Sequence, residues 1–248
     1  MKLKGKRAWV TGASSGIGEA VARALVAEGA EVVISARRAE RLQQLADELR
    51  RQGGQVNVEP VDVADRAAME ALGSRLAARG GVDILINNAG TMPISPIING
   101  RVDEWERMID VNIKGVLYAI HAVYPGMAER KWGHIVNVSS IAARTTYPSA
   151  AVYSGTKHAV RAISEALRKE SIRFGVRVTD IQPGSVDTEL PDSIGHDKIR
   201  DIVKHNMYGD ETAMLRPEDI ARGILYALSQ PEHVDVGELL IWPTRQEN

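Results

Sequence analysis

The sequence predicts an α/β fold: a single domain built on one doubly wound parallel sheet of about seven strands, with helices on both faces. Three observations predict it. Short β-branched runs bounded by turns recur along nearly the whole chain, and stretches of helical period lie between them. No linker, repeat or low-complexity tract interrupts that alternation. The runs are continuously apolar rather than alternating, as expected of strands buried on both faces.

The strand candidates are residues 7–11, 31–35, 56–61, 82–86, 134–138, 176–181 and 238–241. Helical spacing links Ile17, Ala20, Val21, Ala24 and Leu25, and again Leu42, Leu45, Ala46 and Leu49. The longest stripe runs through Trp105, Met108, Ile109, Ile113, Val116, Leu117 and Ile120. Two more helices are predicted over about 151–174 and 217–228; Pro217 suits a helix start, where a missing N–H costs nothing. Residues 184–216 break the rhythm, and excursions of that length in compact domains are often lids or binding segments.

Composition narrows the function classes. The chain has 248 residues, 44% hydrophobic and 25% charged, enough for one sizeable core over residues 1–248. Lys plus Arg number 31 against 32 Asp plus Glu, which argues against a broad nucleic-acid surface or a polybasic membrane patch. There is no cysteine, so disulfides, thiolate nucleophiles and Cys-based zinc sites are excluded. The six histidines show no paired ligand spacing, so no metal site is predicted. With no leader-like or membrane-length apolar stretch, a cytoplasmic location is expected. Aromatic residues are only 4%, so the core falls to Ala, Val, Leu and Ile.

The first strand runs into Thr11-Gly12-Ala13-Ser14-Ser15-Gly16-Ile17-Gly18, where a helix begins. Glycines there let the backbone bend sharply and approach a pyrophosphate, while the helix N-terminus offers unpaired N–H groups. A tight turn that binds nothing is the alternative; the strand before and the helix after weigh against it. The spacing is Gly-x-x-x-Gly-x-Gly, a variant found in short-chain dehydrogenases/reductases. Asn87-Asn88-Ala89-Gly90, Asn112, Ser139-Ser140, Tyr153-Ser154-Gly155-Thr156-Lys157 and Pro183-Gly184 with Thr188 follow in that family's order. On these motifs the chain resembles a member over nearly all its length, which implies a Rossmann-like fold.

The resemblance implies a catalytic set of Asn112, Ser140, Tyr153 and Lys157. Tyr153 and Lys157 are four apart, on one helix face. A tyrosine pKa of ~10 is too high for ready proton exchange at neutral pH, and a nearby ammonium is expected to lower it. Tyr153 would then act as general acid or base on a carbonyl/alcohol pair. Lys157 is implied to hold the nicotinamide ribose as well. Ser140 precedes Tyr153 by the family's spacing and would donate to the substrate oxygen, whereas Ser139 reads as structural. Asn112 falls on its helix's own apolar stripe, where an amide needs partners; it is either a satisfied core residue or, by resemblance, holds a water that relays protons to Lys157.

The cofactor implied is NADP(H). The second strand ends in Ser35-Ala36-Arg37-Arg38, with no acid to bind a ribose 2′-hydroxyl, and guanidinium groups suit a 2′-phosphate. Ser14 could add a donor. A solvated helix start through Arg37, Arg38 and Arg41 is the alternative. Further cofactor contacts are implied from Gly12, Ser15, Gly16, Ile17 and Gly18 in the turn, and from Asp62 and Val63 after the third strand. Asn88, Ala89 and Gly90, then Pro183, Gly184, Val186 and Thr188, complete that set with Tyr153 and Lys157.

The substrate wall is expected after Thr188, with Met92, Ile141, Arg144 and Tyr147 as candidates; Arg144 is either a carboxylate clamp or, more in keeping with its type, structural. Ser185 to Leu190 and the terminal Gly237 to Thr244 resemble small bacterial NADP-dependent reductases of 3-hydroxy acids, serine-like compounds or clavulanate-type aldehydes. The expected activity is thus hydride transfer between NADP(H) and a small hydroxy acid or aldehyde, in a homotetramer or homodimer. Alternatives are a 3-oxoacyl-carrier-protein reductase and a non-catalytic NADP-sensing scaffold.

Overall fold

The computed structural model describes residues 2–208 and 214–246. Its seven strands are β1 (Arg7–Thr11), β2 (Glu31–Ala36), β3 (Gln55–Pro60), β4 (Ile84–Asn87), β5 (Gly133–Val138), β6 (Val176–Pro183) and β7 (Glu238–Ile241). They form one parallel sheet in the order β3-β2-β1-β4-β5-β6-β7. Strand order reverses between β1 and β4, whose register pairs Trp9 with Leu85. A crevice at the carboxyl ends of such strands is where open α/β sheets bind ligands.

The helices are α1 (Gly16–Ala27), α2 (Ala39–Arg51), α3 (Arg66–Ala78), α4 (Val102–Ile109), α5 (Gly115–Arg130), α6 (Ala151–Ser171), α7 (Asp197–Tyr208) and α8 (Pro217–Leu228). One sheet face packs Val10, Ile34 and Ile86 against Leu25 of α1, Leu42 of α2 and Ile220 of α8. The other packs Trp9, Val33 and Leu85 against Leu72 of α3, Val116 of α5 and Val160 of α6. Trp9 is fully buried, and its Nε1–H donates to Ser35 Oγ at 2.8 Å, so the one polar atom of that ring is paired.

The structure departs from the sequence reading most clearly at four places. The fourth strand starts at Ile84 rather than Val82; just before it, the Asp83 carboxylate accepts the Arg7 N–H at 2.9 Å. Helix α3 has no counterpart among the predicted helices, although Asp65 caps it by accepting the Ala68 N–H and Met69, Leu72 and Leu76 are buried. The long stripe from Trp105 to Ile120 is not one helix: a π-helical turn, Asp110–Lys114, separates α4 from α5. The excursion over 184–216 contains α7 and a 3-10 turn at Leu190–Ser193, while its residues 209–213 lie outside the described residues. Pro217 opens α8 as expected, and Asp219 accepts the Arg216 N–H at 2.7 Å. Among the described residues no helix is long and apolar enough to cross a membrane.

Candidate active site

A cleft of about 1270 Å³ opens at the carboxyl ends of the strands. Its floor is the glycine turn. Gly12 has φ +67°, and a Cβ there would lie 2.8 Å from Ala89 Cα. A Cβ on Gly18 would fall 2.3 Å from the Gly12 carbonyl oxygen, so only glycine lets α1 pack this close to the turn. Ser15 at the N-cap of α1 makes no side-chain cap, so the helix's first N–H groups have no partner in its hydroxyl. Such a floor, with an uncapped positive helix end, fits a pyrophosphate. The Asn87-Asn88-Ala89-Gly90 motif holds this floor in place. Asn88 Nδ2 donates to the Thr11 and Gly12 carbonyls at 3.1 and 3.2 Å, and the Asn88 and Ala89 N–H groups donate to Thr11 Oγ1.

Of the expected catalytic and cofactor-binding residues, all but Gly18 and Asn112 line the cleft. Gly18 acts underneath, through the close packing just described. Asn112 sits in the π-helical turn, 1% exposed, with every amide atom paired within the protein. Its Oδ1 accepts the Thr91 N–H at 2.9 Å, and its Nδ2 donates to the Thr91 carbonyl and to Thr156 Oγ1 at 3.0 and 3.1 Å. A Cβ on Gly90 would lie 3.5 Å from Asn112 Oδ1 and 3.7 Å from Lys157 Nζ, so glycine keeps the space between those two groups open.

Ser140 follows β5, and Tyr153 and Lys157 lie one turn apart on α6. Lys157 Nζ stands 5.8 Å from the centre of the Tyr153 ring and donates to the Val138 carbonyl at 3.0 Å. The expected depression of the Tyr153 pKa is not found in the protein alone. Burial pushes it up to about 12, and a hydrogen bond with Ser140 only partly offsets this. Burial also lowers Lys157 to about 8, opposed by the charge of Asp180. The ammonium is thus held by a carbonyl and costly to keep charged, which is why its proximity does not outweigh desolvation. Asp180 itself, buried on β6, is raised to about 6 by burial against hydrogen bonds from Ser139 and Gln182. It belongs to none of the sequence motifs.

At the far end, Arg38 folds onto the glycine turn: Nε and Nη2 donate to Ser14 Oγ at 3.1 and 2.9 Å, and Nη2 to Ser15 Oγ at 2.6 Å. Arg38 and Arg41 each also pair with Glu189, a pairing that the sequence does not reveal. Asp62 lines the same cleft, near Arg37 and Arg107. Burial alone would raise its carboxyl, but the Ala64 N–H, the Arg107 ion pair at 2.8 Å and the Arg37 charge hold it below its ordinary range.

The substrate-side wall is apolar: Met92, Ile94, Ala142 and Tyr153 line it and cluster with Ile194 behind them, and Ile141 and Tyr147 also face the cleft. Ser193 Oγ accepts the Met92 N–H at 2.9 Å and so ties the 190–193 turn to this wall. Arg144 does not reach the cleft; it donates to Gln182 and pairs with Glu238, a structural role. Gln246 does line the cleft and accepts the Ser185 N–H at 2.8 Å, a contact invisible in a segment without period. Among the described residues no cluster of three or more His, Asp or Glu side chains could hold a metal.

The model of the short chain dehydrogenase family matches residues 6–199. An uncharacterized oxidoreductase of Staphylococcus aureus (strain MW2) is 43% identical over 243 residues, 97% of this chain and 98% of that protein. The glycine betaine reductase ATRR of Emericella nidulans is 45% identical over 97% of this chain, which spans only 19% of that protein's length. Among solved structures, the closed form of a serine dehydrogenase complexed with NADP+ superposes with a TM-score of 0.89 at 38% identity, covering 98% of this chain and 96% of that one. An alcohol dehydrogenase from the archaeon Thermococcus sibiricus, complexed with 5-hydroxy-NADP, gives 0.86 at 31% identity, with 98% of each chain covered. With its parallel sheet, its glycine floor and its Ser-Tyr-Lys cleft, this chain belongs to the short-chain dehydrogenase family.

Proposed function

We propose that the protein is an NADP(H)-dependent oxidoreductase that interconverts a small carbonyl compound, an aldehyde or keto acid, with its alcohol or hydroxy acid. The observation that carries this reading is the convergence of Ser140, Tyr153 and Lys157 in a cleft whose other end presents Arg37 and Arg38. NADP+ in the serine dehydrogenase and 5-hydroxy-NADP in the alcohol dehydrogenase support the choice of cofactor.

The glycine turn and α1 N-terminus would hold the pyrophosphate, and Arg38 with Ser14 the 2′-phosphate. Bound there, the nicotinamide supplies or accepts the hydride. Ser140 donates a hydrogen bond to the substrate oxygen and fixes it beside Tyr153. With its pKa pushed up to about 12, Tyr153 is protonated at neutral pH and delivers its proton to that oxygen as general acid; in the reverse direction it must act as base. Lys157 orients the ribose, and its charge favours the phenolate. Asn112, paired to Thr91 and Thr156, fixes one wall of the space beside Lys157 where a relay water would sit. The apolar wall around Met92 and Ile194 excludes bulk water from the reacting atoms. A cytoplasmic homotetramer or homodimer, packed through α4, α5 and α6, completes this reading; exposed Ile109 and Leu117 fit such packing.

NADPH depletion measured against a panel of aldehydes, ketones and 3-oxo acids tests the function, with NADP+ and hydroxy acids as the reverse assay. Turnover that requires Tyr153 supports it. No turnover on any carbonyl or alcohol, with cofactor binding intact, would favour a sensing role instead.

A further inference from the structure

Glu189 lies 151 residues from Arg38 in sequence, yet its two carboxylate oxygens are shared between two arginines of the second βα turn. Oε2 accepts from Arg38 Nη1 at 2.7 Å and Oε1 from Arg41 Nη1 at 2.6 Å. The remaining Arg38 nitrogens are spent on the Ser14 and Ser15 hydroxyls. The guanidinium that would receive a 2′-phosphate is therefore already occupied by an anion. Both arginines hold Glu189 well ionised, at a pKa of about 2, so it does not leave by protonation at any working pH.

All three side chains are 44–47% exposed, so these ion pairs are screened and cheap to exchange. A phosphate monoester carries more charge than a carboxylate and three acceptor oxygens, and it competes well for the same donors. The carboxylate also belongs to a stretch that touches the rest of the cleft. Thr188 closes on Gly16, where a Cβ would lie 3.0 Å from Thr188 Cγ2, and Ser193 is tied to Met92 at the substrate wall.

We propose that Glu189 is an internal carboxylate ligand of the 2′-phosphate subsite, displaced when a 2′-phosphorylated adenosine binds, so that it sets the enzyme's affinity for NADP(H) and leaves NAD(H) unaffected. This rests on the NADP(H) reading above. Displacement detaches the 188–193 stretch from the arginines, so occupancy of the phosphate end is felt at the substrate wall.

Calorimetric titration with adenosine 2′,5′-bisphosphate and with 5′-AMP tests it on the wild type, Glu189→Gln and Asp187→Asn. Asp187 is an exposed neighbouring acid with no ion pair to Arg38 or Arg41 in the structure, and it controls for charge alone. Glu189→Gln is expected to bind the bisphosphate about 3- to 10-fold more tightly, with 5′-AMP changed by less than about twofold. Unchanged or weaker binding of the bisphosphate by Glu189→Gln overturns the proposal, since a residue that merely positions Arg38 would lose affinity when removed. An equal gain in Asp187→Asn overturns it too. If the wild type binds 5′-AMP as tightly as the bisphosphate, the cofactor reading itself fails. If the wild type prefers the bisphosphate and Glu189→Gln is unchanged, that reading stands and only the competitor role falls.

Discussion

At the reacting end of the cleft, Tyr153 and Lys157 are 6% and 7% exposed. At the other end, the side chains of Arg38 and Glu189 stand 44% and 45% exposed. Both ends hold charged or titratable groups a few ångströms apart, and they behave in opposite ways. In the buried pair desolvation outweighs proximity, moving Tyr153 up and Lys157 down, each opposite to the shift that the other's charge would cause. In the exposed cluster proximity wins, and Glu189 drops to about 2 because water shares the cost of charging it. Burial thus makes one end a fixed proton device, while exposure makes the other an exchangeable anion site.

The largest effect should come from the buried end. Tyr153→Phe is expected to lower turnover about 10²- to 10⁴-fold with NADPH binding retained, read by steady-state kinetics and a fluorescence titration. Turnover within tenfold of the wild type would remove Tyr153 from the proton step. Asn112→Ala should cost about 2–3 kcal/mol, because it strips partners from the Thr91 N–H and carbonyl; thermal unfolding would show Tm lower by about 5–10 °C. At the exposed end Arg38→Ala should lose about tenfold in NADPH affinity with NADH affected much less, measured by the same titration. Equal losses for both cofactors would mean that Arg38 shapes the turn without reading the phosphate.

The smallest effect is a pH dependence. Lys157 carries a pKa lowered to about 8 in the folded chain, so between about pH 8 and its unfolded value of 10.5 the unfolded state binds more protons. Its contribution to stability therefore rises with pH across that window. Tyr153 works the other way: raised to about 12, it loses stability only above its unfolded value of 10. Between pH 7.5 and 9.5 the wild type should gain on Lys157→Met by about 2–4 °C in Tm. A constant difference would show that Lys157 is better solvated than its burial implies.

How much of this was legible in the sequence differs along the same divide. The reacting end was readable because its residues sit on or beside regular elements: Tyr153 and Lys157 share a helix face, and Ser140 follows two residues after a strand. The π-helical turn at Asn112 was not, since a 3.6-residue period still fits the apolar stripe on either side of one inserted turn. Helix α3 escaped because only Met69, Leu72 and Leu76 mark its buried face. The direction of the Tyr153 shift depends on burial, which no spacing reveals. The pairing of Glu189 was not legible either: it lies in a stretch that lacks periodicity, 148 and 151 residues from its partners.

If one cleft joins a buried proton device to an arginine-lined phosphate site, as proposed, the enzyme's choice of cofactor must show it. The ratio of kcat/KM for NADPH over NADH, measured on the wild type with any turned-over carbonyl, tests that claim most directly. A ratio well above one, by about tenfold or more, is expected. A ratio below one would contradict it, because the arginines would then be a solvated helix start and not a cofactor site.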